Sequence, residues 1–289
     1  MQPDLVANVV VSGVLTGLVY GLMALGLSVI FGVVRVVNFA HGEMMAVAMY
    51  AAVVLFGSFN LDPFAAMLPV AAAFFALGYA LQAGLINPFI TRPEHSQFML
   101  LVAVGIILVN ALLMAFGPDA RNVQVDYQLD SLQLGPLLVD KARLYAAMAS
   151  VLTALGLFLF FRYARIGKAI RACADNHLGA RIVGLDVNKL YALTFGLGAA
   201  CVAVAGCAMS VLVEVTPALG PGYTLLAFVI VIVGGLGSMP GALLGGVLIG
   251  ISEAVAGLLV TPSAKSMFSF GLLILVLLLR PQGLLGRRA

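Results

Sequence analysis

The sequence predicts an all-α fold: a polytopic transmembrane helical bundle of about eight to nine membrane segments, with a small extracytoplasmic β-ribbon. Hydrophobic residues make up 63% of the 289 residues and charged residues only 9%, whereas a soluble domain carries roughly a quarter charged residues. Long apolar runs rich in Gly, Ala, Leu and Val repeat between Val6 and Arg280, separated by short polar joints. Such a surface must face lipid, so one membrane domain covering residues 1–289 is expected.

Nine apolar runs are candidate membrane segments, because a helix needs ~20 apolar residues to cross a bilayer core. They cover residues 8–33, 42–57, 64–85, 97–117, 143–161, 191–213, 223–236, 241–260 and 267–279. The runs 223–236 and 241–260 could instead form a re-entrant pair, which is tolerated only where protein or a water-filled cavity covers it. No Lys or Arg precedes the first run, so it is expected to be a retained span and not a removed signal peptide.

The basic residues predict the orientation of the chain. With the N-terminus outside and all nine segments crossing, 11 of the 15 Lys and Arg residues fall in inner joints and 4 in outer joints. The positive-inside rule places the richer side in the cytoplasm. We therefore expect an outside N-terminus and a cytoplasmic C-terminus. A re-entrant pair would leave this orientation unchanged, because two crossings would vanish together.

The outer joint, residues 118–142, has the alternation of a short β-ribbon. Val123, Val125, Tyr127 and Leu129 alternate with polar residues, and a second short alternation covers 132–135. The ribbon could be a docking surface for an external partner or a lid over the bundle, and the pattern leaves both open.

The inner joint, residues 162–190, carries six basic residues against two aspartates. Residues 166–183 suit one helix, with Gly184 where a left-handed C-terminal cap is expected and Asp186 able to cap the next helix. Aliphatic residues recur every fourth position on one stripe, at Ile166, Ile170, Ala174, Leu178 and Ile182. An amphipathic helix on anionic lipid is one interpretation. The absence of an aromatic anchor favours packing into a groove of another protein.

Motifs for catalysis and for nucleotide binding are missing from the sequence. Gly167-Lys168 is followed by Ala169 and lacks the earlier glycine of a Walker A loop. Only three histidines occur, without a Ser/His/Asp set, a Cys/His cluster or an HExxH helix. We therefore expect no enzyme activity, no catalytic residue, no metal site and no cofactor in this chain.

Two glutamates inside the apolar segments are functional candidates, because ionisable groups are costly within a membrane bundle. Glu43 follows Asn38, His41 and Gly42 at the expected cytoplasmic start of the second segment, and Glu253 lies in the eighth. If Asn38 is the N-cap, free N–H groups would face a path for an anionic substrate group. A zwitterion whose ammonium group lies near Glu43 fits better than a free anion. Alternatively, His41 and Glu43 cap a helix at the inner interface, and Glu253 only bonds to a neighbouring span.

Four stretches resemble the LivH-type permease of the branched-chain amino acid ABC importers. They are Gly17–Leu27 with Ile30–Gly32, Asn38–Glu43, the spaced set Arg171, Ala172, Asn176, Ala180 and Gly184–Asp186, and Gly234–Ala242. In order and spacing they cover essentially the whole chain. The Glu-Ala-Ala loop signature of other ABC importers is replaced by Arg171-Ala172-Cys173-Ala174-Asp175-Asn176, so contacts known for those importers do not carry over.

The resemblance implies a bacterial inner-membrane subunit with several partners: a second, LivM-like permease, two cytoplasmic ATPase subunits that bind ATP, and a periplasmic substrate-binding protein. The bilayer is a further partner, and no nucleic acid is expected. Residues 118–142 would form the periplasmic loop and 162–190 the coupling loop. The expected ATPase-coupling residues are Arg171, Ala172, Asn176, Ala180, Gly184 and Asp186. The expected translocation path contains Asn38, His41, Gly42, Glu43 and Glu253.

The expected function is therefore inward transport of branched-chain or related apolar amino acids, powered by separate ATPase subunits. Two alternatives stay open: a permease for urea or short amides, and a stand-alone secondary transporter driven by protons through Glu43 and Glu253.

Overall fold

A computed structural model describes residues 3–128, 130–135, 137–260 and 265–286. These residues form eleven α-helices and one two-stranded sheet. The helices are α1 (Pro3–Val34), α2 (His41–Phe59), α3 (Pro63–Ala80), α4 (Glu94–Phe116), α5 (Lys141–Tyr163), α6 (Arg165–Asp175), α7 (His177–Ile182), α8 (Val187–Leu212), α9 (Leu219–Gly234), α10 (Met239–Leu259) and α11 (Lys265–Leu279). A π-helical turn at Leu81–Ile86 and a 3-10 turn at Asn87–Phe89 continue α3.

Each of the nine predicted segments corresponds to one helix, which confirms the polytopic helical bundle. Seven helices in the described ranges are long and apolar enough to cross a membrane: α1, α2, α3 with its continuation, α4, α5, α8 and α10. The helices α9 and α11 are shorter, with 16 and 15 residues. At 1.5 Å per residue, α9 is about 24 Å long, a little less than the thickness of a bilayer core.

One end of the bundle, called the inner face here, gathers the C-terminal end of α1, the α9–α10 turn and the C-terminal residues 283–286. Gly32 near the end of α1 lies against Gly237 in that turn. The N–H groups of Leu284 and Leu285 donate to the carbonyls of the last two residues of α9, at 2.9 and 3.0 Å. Helix α6 packs beside α1 at the same end.

The opposite end, the outer face, holds the N-terminal end of α1. Asn8 accepts a hydrogen bond from the Leu138 N–H at 2.9 Å. Arg121 and Val215 pair through their backbones at 2.7 and 2.9 Å. Helix α9 begins four residues after Val215 and ends on the inner face, and the C-terminal half of α10 packs on Gly13 near the outer end of α1. The chain from Val215 through α9 therefore runs from the outer face to the inner face, and α10 returns, so the two helices are not a re-entrant pair.

A glycine seam joins α1 to α10. Gly13, Gly17 and Gly21 lie at four-residue steps on α1 and face Gly246 and Gly250 on α10. A Cβ atom at Gly17 would lie 2.7 Å from the Gly246 carbonyl oxygen, and one at Gly246 would overlap the Gly21 backbone. Small residues at this spacing let helix backbones approach closely in a membrane, where van der Waals packing drives association.

Gly246→Val is expected to separate α1 from α10, because the added side chain would overlap the backbone of α1, which cannot move away as a side chain can. Overpacking of this kind costs about 1–3 kcal/mol or more. The melting temperature and monodispersity of detergent-solubilised protein check this. Gly156→Val on α5 is the matched control, since no atom of another helix lies within 4 Å of its Cβ position. Equal stability of the two variants would contradict the seam.

The predicted outer β-ribbon exists, but at different residues. An antiparallel hairpin pairs β1 (Ser131–Leu134) with β2 (Leu137–Asp140). The expected strand over 123–130 is wrong: Asp126–Gln128 form a 3-10 turn, and Leu129 lies outside the described residues. The Tyr127 hydroxyl donates to Asp62 at 2.6 Å and the Gln128 side chain to the Val211 carbonyl at 2.9 Å. These contacts with the bundle override the local alternation.

The predicted single helix over 166–183 is two helices, α6 and α7. The break lies at Asn176, whose backbone is extended (φ −151°, ψ 98°) and whose side chain accepts from the Gly179 N–H at 2.9 Å. Asn176 thereby caps α7, which is the role that short polar side chains take at helix starts.

The end of α7 matches its prediction. Gly184 is left-handed, with φ +85°. The Leu185 N–H donates to the Ala180 carbonyl and the Gly184 N–H to the Arg181 carbonyl, both at 3.0 Å. This paired arrangement is a Schellman motif.

Candidate functional site

The second helix starts inside the bundle and not at its inner face. After α1 ends, Arg35 adopts a left-handed φ of +59°, and the chain turns back without regular structure before α2 begins at His41. The His41 Nε2 atom lies 2.9 Å from the Met23 carbonyl oxygen. Met23 is eleven residues before the end of α1, which corresponds to about 16 Å of helix. Residues 35–40 therefore recross about half of the bundle.

Glu43 lies at mid-depth. It is beside Gly105, the central residue of α4: a Cβ atom there would be 3.4 Å from the Glu43 carboxyl carbon. The side chain is buried, with 7% exposure. The expectation that Glu43 lies at the cytoplasmic start of its segment is wrong, because the recrossing residues lift the helix start into the middle of the bundle. Placement of His41 and Glu43 at the inner interface is excluded for the same reason.

A hydrogen-bonded link joins the starts of α2 and α9 around Glu43. The Gly42 N–H donates to Thr224 Oγ1 at 2.8 Å, and Thr224 Oγ1 donates to Glu43 Oε2 at 2.7 Å. A Cβ atom on Gly42 would overlap the Gly220 carbonyl, and one on Gly220 would lie 2.9 Å from the Glu43 Cα. Both positions require glycine because the two backbones touch.

Thr224 and Gly220 were not predicted as site residues. They lie about 180 positions from Glu43, at the start of a segment that was recognised only by its hydropathy. The sequence feature that could have indicated these two residues is Gly220-Pro221-Gly222-Tyr223-Thr224, in which glycines and a hydroxyl group precede an apolar run.

Asn38 shapes the turn before α2, but it is not the N-cap. The N-cap position is Ala40, which makes no side-chain cap bond. Asn38 Oδ1 instead accepts from the Ala40 N–H at 3.1 Å, and its amide nitrogen lies 3.7 Å from the Met44 sulfur. The prediction that Asn38 is the N-cap of α2 is therefore wrong: the N-cap position lies two residues later, because the chain makes a further turn before the helix begins.

His41 is fully buried. Its Nε2 carries the proton, because the Met23 carbonyl can only accept. Its Nδ1 atom has no hydrogen-bond partner within the described ranges, which leaves an acceptor beside the Glu43 site.

Glu253 belongs to a different helix contact. It accepts from the Ser269 hydroxyl at 3.0 Å and interacts with the Tyr20 hydroxyl, so it links α10 with α11 and α1. Glu43 bonds to Thr224 of α9, and Glu253 interacts with the neighbouring Tyr223 of the same helix. The placement of both glutamates in one path stays a prediction.

Phenylalanines lie on the inner side of the Glu43 site. The Phe39 ring centroid is 4.5 Å from that of Phe98 and 5.0 Å from that of Phe228. Beyond this cluster, a cavity of about 1420 Å³, the inner cavity, opens between α6, the inner ends of α1 and α4, and the α9–α10 turn. Phe39 and Phe98 line it, so the aromatic cluster stands between the cavity and Glu43.

The helices α6 and α7 form a projection on the inner face, here called the knob (residues 165–186). Gly167 packs against the Phe160 and Phe161 backbone, and Ile170 and Cys173 are buried. The predicted apolar stripe is divided by the break at Asn176: Ile170 faces inward, whereas an apolar tip is exposed. The tip consists of Leu178, Ile182 and Val183, which are 63%, 84% and 76% exposed.

The predicted coupling residues take three positions in the knob. Arg171 and Ala172 line the inner cavity, and Ala180 is buried. Asn176 and Gly184 fix the ends of α7. Asp186 Oδ1 accepts from the Lys189 N–H at 3.1 Å and caps α8, as expected. That backbone N–H lowers the pKa of the Asp186 carboxyl below its ordinary value.

The described ranges contain no cluster of three His, Cys, Asp or Glu side chains that could hold a metal ion.

Comparison with known proteins gives matches along nearly the whole bundle. Residues 9–277 match a family described as "Branched-chain amino acid transport system / permease component". The "High-affinity branched-chain amino acid transport system permease protein BraD" of Pseudomonas aeruginosa is 32% identical over 295 residues, which is 96% of this chain and 94% of that protein. LivH of Escherichia coli, a permease protein of the same description, is also 32% identical over 96% of this chain and 94% of its own length. LivM of Escherichia coli is 24% identical over 93% of this chain and 68% of its own length.

Proposed function

The chain belongs to the family of permease components of branched-chain amino acid transport systems, and from this premise we propose that it is the membrane-spanning permease subunit of an ABC importer. Its proposed substrates are branched-chain or related apolar amino acids, which it moves inward. The observation that carries the proposal is the family match over residues 9–277 in a chain whose sequence contains no nucleotide-binding motif. The driving ATP hydrolysis is therefore assigned to partner subunits.

The knob is the proposed coupling element. Its apolar tip is exposed at the inner face, while Gly167, Ile170 and Ala180 fix it to the bundle. An exposed apolar helix face suits insertion into a groove of a partner protein. When the two ATPase subunits close on ATP, the knob would transmit their movement to α1, α5 and α8, which it contacts.

The start of α2 is the proposed part of the translocation path that meets the charged end of an amino acid. The Glu43 carboxylate attracts an ammonium group, and the start of a helix at mid-depth supplies partial positive charge to a carboxylate. An apolar side chain would meet the phenylalanines on the inner side. In this proposal Asn38, His41 and Gly42 position Glu43, whereas Glu253 links spans.

The proposed partners are a LivM-like permease, two ATPase subunits on the inner face and a periplasmic substrate-binding protein. This multi-pass protein would lie in a bacterial inner membrane with its inner face toward the cytoplasm, because nine of the eleven inner-joint cations belong to described residues of that face. The outer hairpin, with Leu132 and Leu138 exposed, would meet the substrate-binding protein.

Transport of urea or a short amide is the second candidate, because Thr224 and the His41 Nδ1 acceptor can bind an amide. Urea has no ammonium group to pair with Glu43, so the carboxylate favours an amino acid.

The proposal is tested by expressing the tagged chain with the genes that neighbour it. Two ATPase subunits and a second permease are expected to co-purify. Vesicles that contain this complex should concentrate leucine only with ATP and the binding protein, and an excess of urea should not compete. Accumulation of a solute by the chain alone, without a nucleotide-hydrolysing partner, would overturn the proposal.

A further inference from the structure

An apolar groove runs along the side of the bundle and opens into the inner cavity. The groove has a volume of about 330 Å³ and lies between α1, α5 and α10. Three of its lining residues, Phe158, Met239 and Pro240, also line the inner cavity. The two spaces are therefore continuous, with an apolar part inside the membrane region and a polar part at the inner face.

The polar part is cationic. Arg35, Lys168 and Arg171 line the inner cavity, together with His95, and the acidic lining residue is Asp175. Three cations stand against one aspartate in this lining, so its net charge is positive. Three cations gathered at one end of an apolar groove favour an anionic occupant.

The dimensions match one leaflet of a bilayer. The groove follows α1 from Leu25 to Leu18, about 10 Å, and the distance along α1 from Gly32 in the cavity to Leu18 is about 21 Å. A leaflet with its headgroups is about 20 Å thick.

We propose that this continuous space binds one anionic phospholipid of the inner-face leaflet. Its phosphate lies among Arg35, Lys168 and Arg171, and one acyl chain fills the groove between α5 and α10. Since Lys168 and Arg171 belong to α6, the lipid connects the knob with α1 and the side of the bundle. This proposal does not depend on the transported substrate.

The test uses the delipidated full-length chain and measures binding of phosphatidylglycerol and phosphatidylcholine by native mass spectrometry and thermal shift. Phosphatidylglycerol is expected to bind at least about tenfold more tightly, since cations near a membrane surface attract lipids with a net negative charge. The variant R35Q/K168Q/R171Q should lose this preference. The variant R162Q/R165Q/R181Q removes three inner-face cations that do not line the cavity and should keep it.

The groove is tested by a pair of neighbouring substitutions on α5. Val151→Trp places a large ring in the groove and should weaken binding of phosphatidylglycerol about tenfold, while Leu152→Trp, whose residue is outside the lining, should leave binding unchanged. Equal affinity for the two lipids overturns the proposal. Competition by glycerol phosphate as strong as that by the intact lipid, or displacement of bound lipid by the second permease, overturns it as well, because the space would then be a phosphate site or a subunit interface.

Discussion

Ile182→Asp is expected to lower ATP-driven uptake by at least about tenfold and to release the ATPase subunits from the membrane complex. The residue is 84% exposed at the apolar tip of the knob, so the substitution changes little within the chain itself. Docking in an apolar groove would bury the new carboxylate without a partner, at a cost of several kcal/mol. Co-purification of the ATPase subunits and ATP-dependent leucine uptake in vesicles measure the effect.

Ile182→Leu is the matched control for that substitution, since it retains an aliphatic side chain of equal size. It should support normal assembly and uptake. If Ile182→Asp retains the ATPase subunits and full stimulated turnover, the knob is not the coupling element.

Glu43→Gln is expected to reduce uptake by at least about tenfold while assembly and basal ATP hydrolysis stay normal. The amide has the same shape and can still accept the hydrogen bond from Thr224, so the helix contact survives while the negative charge is lost. A charge-assisted hydrogen bond to an ammonium group is roughly twice as strong as a neutral one. Initial rates of uptake over a range of leucine concentrations measure the loss.

Two substitutions at Thr224 separate the effect of its hydroxyl group from the effect of its side-chain size. Thr224→Ser keeps the hydroxyl and should retain both hydrogen bonds and uptake. Thr224→Val leaves the Gly42 N–H and the Glu43 carboxylate without this partner, which costs about 1–3 kcal/mol, so a lower melting temperature is expected together with reduced uptake.

Normal uptake by the Glu43→Gln variant would contradict the proposed role of the charge and would give Glu43 a purely structural role.

The helices were predictable because membrane insertion depends on a local quantity, the length of an apolar run. Local chemistry also predicted the left-handed Gly184 and the Asp186 cap. It failed where tertiary contacts compete with local pattern. The described residues of the alternation at 123–130 form no strand, because Tyr127 and Gln128 bond to the bundle. The stripe in 166–183 is divided by Asn176.

The depth of Glu43 was not predictable for a related reason. Hydropathy treats residues 35–40 as a joint at the membrane surface, whereas the fold carries them into the bundle and buries Val36, Asn38 and Ala40. Such a course is possible because Asn38 and Thr224 satisfy backbone N–H groups there. The sequence identified Glu43 as a candidate because burying an ionisable side chain in a membrane costs free energy. The partner of Glu43 on α9, Thr224, is fixed only by the folded structure.

The hydrogen bonds from Leu284 and Leu285 to the end of α9 bear on how the protein is made. A ribosome completes α9 some fifty residues before it adds the two leucines that bond to its end, and α9 is one of the two shorter apolar helices in the described residues. The carbonyls of Val233 and Gly234 therefore gain these two partners only after synthesis has passed residue 285. Nascent chains stalled before residue 284 should leave this helix loosely held and open to quality-control proteases.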